Sequence, residues 1–298
     1  MMQLQPKIQH LTCPNPKGFL KRGFGFHQLH YMEWGDENAE KTVICVHGLT
    51  RNAHDFDYLA CALAAEGFRV ICPDVVGRGK SDWLPNAKWY GYPLYVADIM
   101  TLLTQLQLAD VHWVGTSMGG LIGMMVETSG PHVIDKMVLN DIGPFIPKES
   151  LQRIGSYVGQ RMQFDSKDEA ERYFREIHAP FGVKQETHWQ HMLTHSLAQK
   201  DDGTWHLTYD PALQYAFWTK KGKQRKLPDL DLWNMWSAIH CPMLVLRGAE
   251  SDLLQRNTAQ TMAERDNVEL VEFDGIGHAP MLMEDEQITI VKNWLLKA

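Results

Sequence analysis

Four short apolar runs constrain this chain more than any other feature: Thr42-Val43-Ile44-Cys45-Val46, Phe68-Arg69-Val70-Ile71-Cys72, Val111-His112-Trp113-Val114 and Ile134-Asp135-Lys136-Met137-Val138-Leu139. Runs this short, rich in β-branched residues and nearly free of polar alternation, suit strands buried on both faces of a parallel sheet. Between them, Ala53 to Glu66 and Leu94 to Leu108 carry apolar residues at three- and four-residue spacing, and Gly67 stands where a helix C-terminus favours glycine. Late in the chain, Pro242 to Leu246 predicts a strand before a helix from about Gln255 to Glu264. Val268 to Phe273 predicts another strand before a closing helix from Glu284 to Leu296. The expected fold class is α/β, a mostly parallel central sheet flanked by helices. After a polar, proline-containing lead-in, the uneven alternation of Gly23 to Trp34 suggests an antiparallel strand pair at the sheet's edge.

Residues 143–238 break this rhythm. The stretch is aromatic and helical in pattern (Leu151 to Phe164, Lys167 to His178, Lys184 to Leu197), with no clear buried parallel strand. The expected organisation is a core of residues 1–142 and 239–298 with a helical cap, 143–238, inserted over the sheet's carboxyl edge. The insertion carries Trp189, Trp205, Trp218, Trp233 and Trp236, rigid groups expected to enclose an apolar ligand and limit its length.

Composition narrows the function. With 36 acidic against 29 basic residues the net charge is −7, which works against binding to nucleic acid or an anionic membrane. Five cysteines are an odd number, and Cys45, Cys61 and Cys72 lie in apolar runs rather than in a disulfide framework. The first residues contain no apolar signal region and nowhere do 18 apolar residues run together, so the expected location is cytoplasmic.

The chemistry centres on Trp113-Val114-Gly115-Thr116-Ser117-Met118-Gly119-Gly120, where an apolar strand ends in G-x-S-x-G and runs into the helical pattern Leu121 to Val126. A serine forced into a tight strand-to-helix turn needs small neighbours, and the turn lifts its hydroxyl clear of the sheet. Downstream, His278 lies in the glycine-rich loop Gly275-Ile276-Gly277-His278 after the strand ending at Phe273. Asp252 lies just beyond the strand ending at Leu246. An imidazole can take the serine's proton, and a carboxylate at its other nitrogen fixes the tautomer. Upstream, Val46-His47-Gly48-Leu49 follows a strand, so the N–H groups of Leu49 and Met118 make a candidate oxyanion hole, with His47 bracing the loop.

On these residues the chain resembles the α/β-hydrolase superfamily, as a Ser-His-Asp serine hydrolase with a helical cap. The stretch Pro73-Asp74-Val75-Val76-Gly77-Arg78-Gly79-Lys80-Ser81-Asp82 also resembles a loop of that family, in which Asp74 and Arg78 would be structural. Serine at 117 separates the chain from epoxide hydrolases and haloalkane dehalogenases, which carry a carboxylate there. The resemblance implies cleavage of a small-to-medium carboxylic ester, thioester or lactone through an acyl-enzyme, with catalytic Ser117, Asp252 and His278. Neither cofactor nor metal is expected. C–C bond hydrolysis, acyl transfer and a non-catalytic ligand receptor are the alternatives. Asp141, directly after the strand Ile134 to Leu139, is an alternative acid, and Glu250 a third; Asp252 is preferred because an acid beyond the penultimate strand is the commoner arrangement.

Two further signals are read as surface features. His188, His191 and His195 share a helical face at metal-ligand spacing but lack an accompanying carboxylate motif. The basic run Lys220 to Lys226 suits a solvated loop.

Overall fold

The computed structural model of the chain describes residues 5–16, 25–130 and 132–297. Eight strands form the central sheet: β1 (Lys7–Pro14), β2 (Phe26–Trp34), β3 (Thr42–Val46), β4 (Arg69–Pro73), β5 (Val111–Thr116), β6 (Ile134–Asn140), β7 (Met243–Gly248) and β8 (Val268–Phe273). Their spatial order is β1-β2-β4-β3-β5-β6-β7-β8. β2 pairs antiparallel with both β1 and β4, and every pairing from β4 through β8 is parallel. The helices are α1 (Asp57–Ala65), α2 (Tyr92–Gln105), α3 (Met118–Ser129), α4 (Lys148–Tyr157), α5 (Lys167–His178), α6 (Glu186–Ser196), α7 (Trp233–Ser237), α8 (Arg256–Met262) and α9 (Asp285–Leu296).

The continuous apolar runs have a simple cause. Along β3, Val43 and Cys45 point into one hydrophobic cluster with Leu59 and Leu63 of α1 and Val291 and Trp294 of α9. Ile44 and Val46 point into the other, with Leu102 of α2 and Ile122 of α3. Successive side chains of a strand face opposite ways, so a sheet covered on both sides leaves no position for a polar residue. Full burial of each such side chain contributes about 1.5–3 kcal/mol relative to exposure, enough to override weak local propensities.

The sheet order also places the site. β3 lies between β4 and β5, so the connections leaving these strands diverge to opposite faces and open a crevice at the carboxyl ends, where ligands bind in α/β sheets.

Two expectations fail at the periphery. β1 lies inside the stretch read as a lead-in; only Leu11 and Cys13 of its eight residues are buried, too few to leave a periodic signal. Residues 23–24 of the expected edge pair lie outside the described residues. Between β6 and β7, the helix expected over Leu151 to Phe164 begins at Lys148 and stops at Tyr157, just before Gly159 turns the backbone to φ 70°. Phe164 instead belongs to a small antiparallel sheet, Gln163–Phe164 with Trp205–Leu207 and Leu197–Gln199. Among the described residues no helix is long and apolar enough to cross a membrane.

Candidate active site

Ser117 sits between β5 and α3 with φ 51° and ψ −114°, a left-handed conformation that a side chain adopts only when its surroundings enforce it. The neighbouring glycines supply that enforcement. A Cβ on Gly119 would lie 1.9 Å from the Val46 carbonyl oxygen, and one on Gly115 would lie 2.5 Å from the backbone of Gly119 and Gly120. Only glycine lets α3 start this close to β3 and β5. The Ser117 N–H donates to the Asn140 carbonyl at 3.0 Å, fixing the turn against β6.

His278 reaches this serine from the loop after β8. Its Nε2 accepts from the Ser117 hydroxyl at 2.9 Å, and its Nδ1–H donates to Asp141 Oδ2 at 2.6 Å. Asn140 ties the parts together: its side-chain amide donates to Thr116 Oγ1 at 2.9 Å and to the Pro280 carbonyl at 2.7 Å, joining the elbow to the histidine loop.

The carboxylate facing His278 is therefore Asp141, and the expected pairing with Asp252 is corrected. Asp141 is fully buried and also accepts from the Gly248 N–H at 2.9 Å and the Ser251 hydroxyl at 2.5 Å. Asp252 is turned outward, its side chain 47% exposed, and takes a two-pronged contact from Arg153 of α4 at 2.5 and 2.8 Å. The physical reason is donor supply. A buried carboxylate needs several hydrogen bonds to offset its lost hydration, and the turn after β7 aims the Gly248 N–H and the Ser251 hydroxyl at Asp141. Ser251 is a residue that sequence reasoning missed.

Leu49 and Met118, the candidate oxyanion donors, line a cavity together with Ser117. A Cβ on Gly48 would sit 3.9 Å from the Ser117 Cβ. His47 orients this loop: its Nδ1–H donates to the Gly48 carbonyl at 2.7 Å, and its Nε2 accepts from the Val75 N–H at 2.9 Å. Gly48 C=O and Leu49 N–H belong to one planar trans peptide, so holding the carbonyl on one side aims the N–H to the other. Burial pushes the His47 imidazole down to about 4, which keeps the ring neutral in this role. Arg78 Nε donates to the Leu49 carbonyl at 2.8 Å and its NH2 group contacts the Met118 sulfur at 3.4 Å. The Met118 N–H is the first of α3, where no preceding turn supplies an acceptor.

Two cavities meet at Ser117, Leu49 and Ile154. One, of about 190 Å³, is apolar, with Tyr92, Met118 and Leu121 from the core facing Ile154, Leu213 and Phe217 from the segment between β6 and β7. The other is mixed: Arg51, Asp55, Arg153 and His178 line it beside His278, together with apolar residues such as Ile177 and Phe181. None of the five tryptophans expected to enclose the ligand lines either cavity. Trp236 is buried among core residues, and Trp218 donates its indole N–H to the Gly155 carbonyl. The basic run Lys220 to Lys226 also lies outside both linings.

Comparison with known proteins adds to this geometry. Residues 43–289 match the model of a family described as "Alpha/beta hydrolase family". The chain is 38% identical, over the full length of both proteins, to a 3-hydroxybutyrate-oligomer hydrolase of Cupriavidus necator. Among solved structures, a protein from Rickettsia typhi is 33% identical with a TM-score of 0.88, covering 98% of this chain and 100% of that one. An alpha/beta hydrolase from Novosphingobium aromaticivorans is 33% identical with a TM-score of 0.84, covering 98% of each chain.

Proposed function

The chain belongs to the alpha/beta hydrolase family and is a hydrolase, and from that premise we propose that it cleaves the ester bonds of short 3-hydroxyacid oligomers through an acyl-enzyme on Ser117. The observation that carries this reading is His278 held between Ser117 Oγ and the buried Asp141 carboxylate. In the first half-reaction the Ser117 oxygen bonds to the ester carbonyl carbon while its proton passes to His278 Nε2. Asp141 keeps the Nδ1–H tautomer and stabilises the imidazolium that forms. The carbonyl oxygen becomes an oxyanion, held by the N–H groups of Leu49 and Met118; loss of one such donor costs about 10²–10³-fold in rate. Collapse expels the alcohol, which takes the proton from His278. Water then attacks the acyl-enzyme, giving its proton to His278, and the second collapse returns that proton to Ser117.

The substrate class rests on the two cavities and on the relative that hydrolyses 3-hydroxybutyrate oligomers. Such an oligomer carries a short alkyl branch beside each ester and polar ends, which suits an apolar chamber meeting, at the serine, a second one that also offers charged side chains. Residues 143–238 act as the cap, contributing Ile154, Leu213 and Phe217 to the apolar wall. A cytoplasmic setting belongs to the same proposal, supported by cysteines buried within β3 and β4.

The test is hydrolysis of 3-hydroxybutyrate dimer and trimer by purified protein, with Ser117→Ala as blank. Release of monomer by the wild type alone is expected. Turnover of simple activated esters without turnover of the oligomers would remove the substrate class, and equal activity in Ser117→Ala would remove the mechanism.

A further inference from the structure

The two chambers that meet at Ser117 differ in what they can hold. Among the described residues, none that lines the larger carries a charge. A carboxylate placed there would lose its hydration with no donor to replace it. The smaller, of about 50 Å³, contains Arg51, Asp55 and Arg153 in its wall, and His278 lines it without lining the larger one. His278 hands its proton to the departing alcohol. The alcohol therefore leaves on the side of the charged chamber, and the acyl group occupies the apolar one.

Of the two guanidinium groups in that wall, one is committed and the other is not. Arg51 gives Nε and one terminal nitrogen to the two oxygens of Asp55 at 3.0 and 2.5 Å, and the other terminal nitrogen to Ser196 Oγ at 2.9 Å. These side chains are 4% and 9% exposed, and opening a buried pair leaves an uncompensated charge, so Arg51 stays with Asp55. Arg153 of α4 is held by Asp252 through Nε and one terminal nitrogen, in a pair that is 39% and 47% exposed. Water screens such a pair, and sharing its guanidinium with a second anion costs little. Its other side-chain partner, Tyr157, is neutral and also lines the chamber. Five N–H donors leave room for a second carboxylate beside these contacts. Among the described residues, Arg153 is also the one shared between this chamber and an open surface hollow lined by Asp252 and Arg256, so it stands where a product would meet solvent.

We propose that Arg153 holds the carboxylate of the departing 3-hydroxyacid, so that oligomers are shortened one unit at a time from the carboxyl end. The proposal rests on the oligomer reading above. In such a chain only the last ester has a leaving group that carries a carboxylate, a single methylene beyond the carbon that bears the ester oxygen. The rest of the chain ends in a hydroxyl, is uncharged and enters the apolar chamber. A planar guanidinium meets a carboxylate through paired N–H donors, which selects that end over a neutral one.

The test compares 3-hydroxybutyrate dimer with the same dimer capped as its terminal primary amide, which keeps the ester bond and removes the anion. Wild type should favour the free acid about tenfold in kcat/KM, through KM, because the contact is made before and during bond breaking alike. In Arg153→Gln that ratio should fall to about one, and Arg153→Lys, which keeps the charge without the fork, should recover part of it. In parallel, 3-hydroxybutyrate anion is titrated as a competitive inhibitor of p-nitrophenyl acetate hydrolysis, and its inhibition constant should rise about tenfold in Arg153→Gln. Inhibition that depends on Arg153 without any cleavage of the dimer would remove the oligomer reading and leave the carboxylate subsite standing. Equal turnover of acid and amide by wild type, or a ratio and an inhibition constant unchanged in Arg153→Gln, overturns the proposal.

Discussion

The loops that follow β6 and β7 leave neighbouring strands of one sheet, and each carries an aspartate within reach of the sheet's carboxyl edge, yet they put those aspartates to opposite uses. Asp141 is turned inward, fully buried, and accepts hydrogen bonds from His278, Ser251 and the Gly248 N–H. Asp252 is turned outward, nearly half exposed, and holds Arg153 on α4. The difference teaches that an acid's role is set by which carboxylate the surrounding donors enclose, because a buried charge persists only where its hydration has been replaced. β7 and its loop still serve Asp141, since Gly248 ends that strand and Ser251 lies in the turn after it.

The strongest way to break this contrast is to convert each acid to its amide. Asp141→Asn should lower kcat for a 3-hydroxybutyrate dimer by about 10⁴-fold, since an amide favours the wrong His278 tautomer, whereas Asp252→Asn should stay within about threefold of wild type. Equal losses in the two variants would erase the distinction.

The same division between enclosed and exposed groups governs the response to acid. Burial lowers His47 to about 4 and His178 to about 3, so both are neutral in the folded chain while their unfolded counterparts take up protons below about 6.5. Their contribution to stability is complete above about pH 6.5 and is lost as the pH falls through the window towards 4 and 3. The expected slope is about 1.4 kcal/mol per pH unit for each ring. Urea unfolding at pH 7, 6 and 5 measures it, and His47→Gln should flatten the dependence; a stability that rises on acidification would contradict the buried neutral state.

A smaller effect is expected at Ser251. Ser251→Ala removes one donor from the Asp141 carboxylate, and hydrogen bonds to charged groups are worth about 1.5–3 kcal/mol. A loss of roughly that stability, with kcat down about tenfold and KM nearly unchanged, would mark Ser251 as a positioning residue. A shifted acidic limb in the pH–rate profile separates this from a general loosening of the loop.

The smallest effect belongs to the outer loop. The Arg153–Asp252 pair is 39% and 47% exposed, so its double-mutant coupling energy should be at most about 1 kcal/mol and should shrink in high salt.

What was legible in the sequence follows the same line. The parallel strands could be read because burial on both faces leaves continuous apolar runs, and Ser117 and His278 because their turns demand glycines within a few residues. β1 could not, since exposure of Lys7 to His10 leaves only Leu11 and Cys13 to mark it. The two- and three-residue strands at Gln163–Phe164, Leu197–Gln199 and Trp205–Leu207 are too short to show a period. The acid was the least legible part. Choosing Asp141 over Asp252 depends on Gly248 and Ser251, more than 100 positions away, folding onto it, and only the placement of Asp141 one residue beyond a buried strand hinted at its enclosure. The aromatic count of the intervening segment misled for a related reason: Trp218 bonds within that segment and Trp236 packs among core residues, while Ile154, Leu213 and Phe217 face the cavity.

The central claim is that Asp141 stands behind His278 and Ser117, and covalent trapping reads that claim at the bond-forming step. Fluorophosphonate labelling, timed by intact-protein mass spectrometry with the adduct mapped by peptide analysis, should modify Ser117 in wild type and in Asp252→Asn at the same rate. In Asp141→Asn the rate should be about 10³-fold slower or less. Rapid labelling of Asp141→Asn with slow labelling of Asp252→Asn, or an adduct on a residue other than Ser117, would contradict the account.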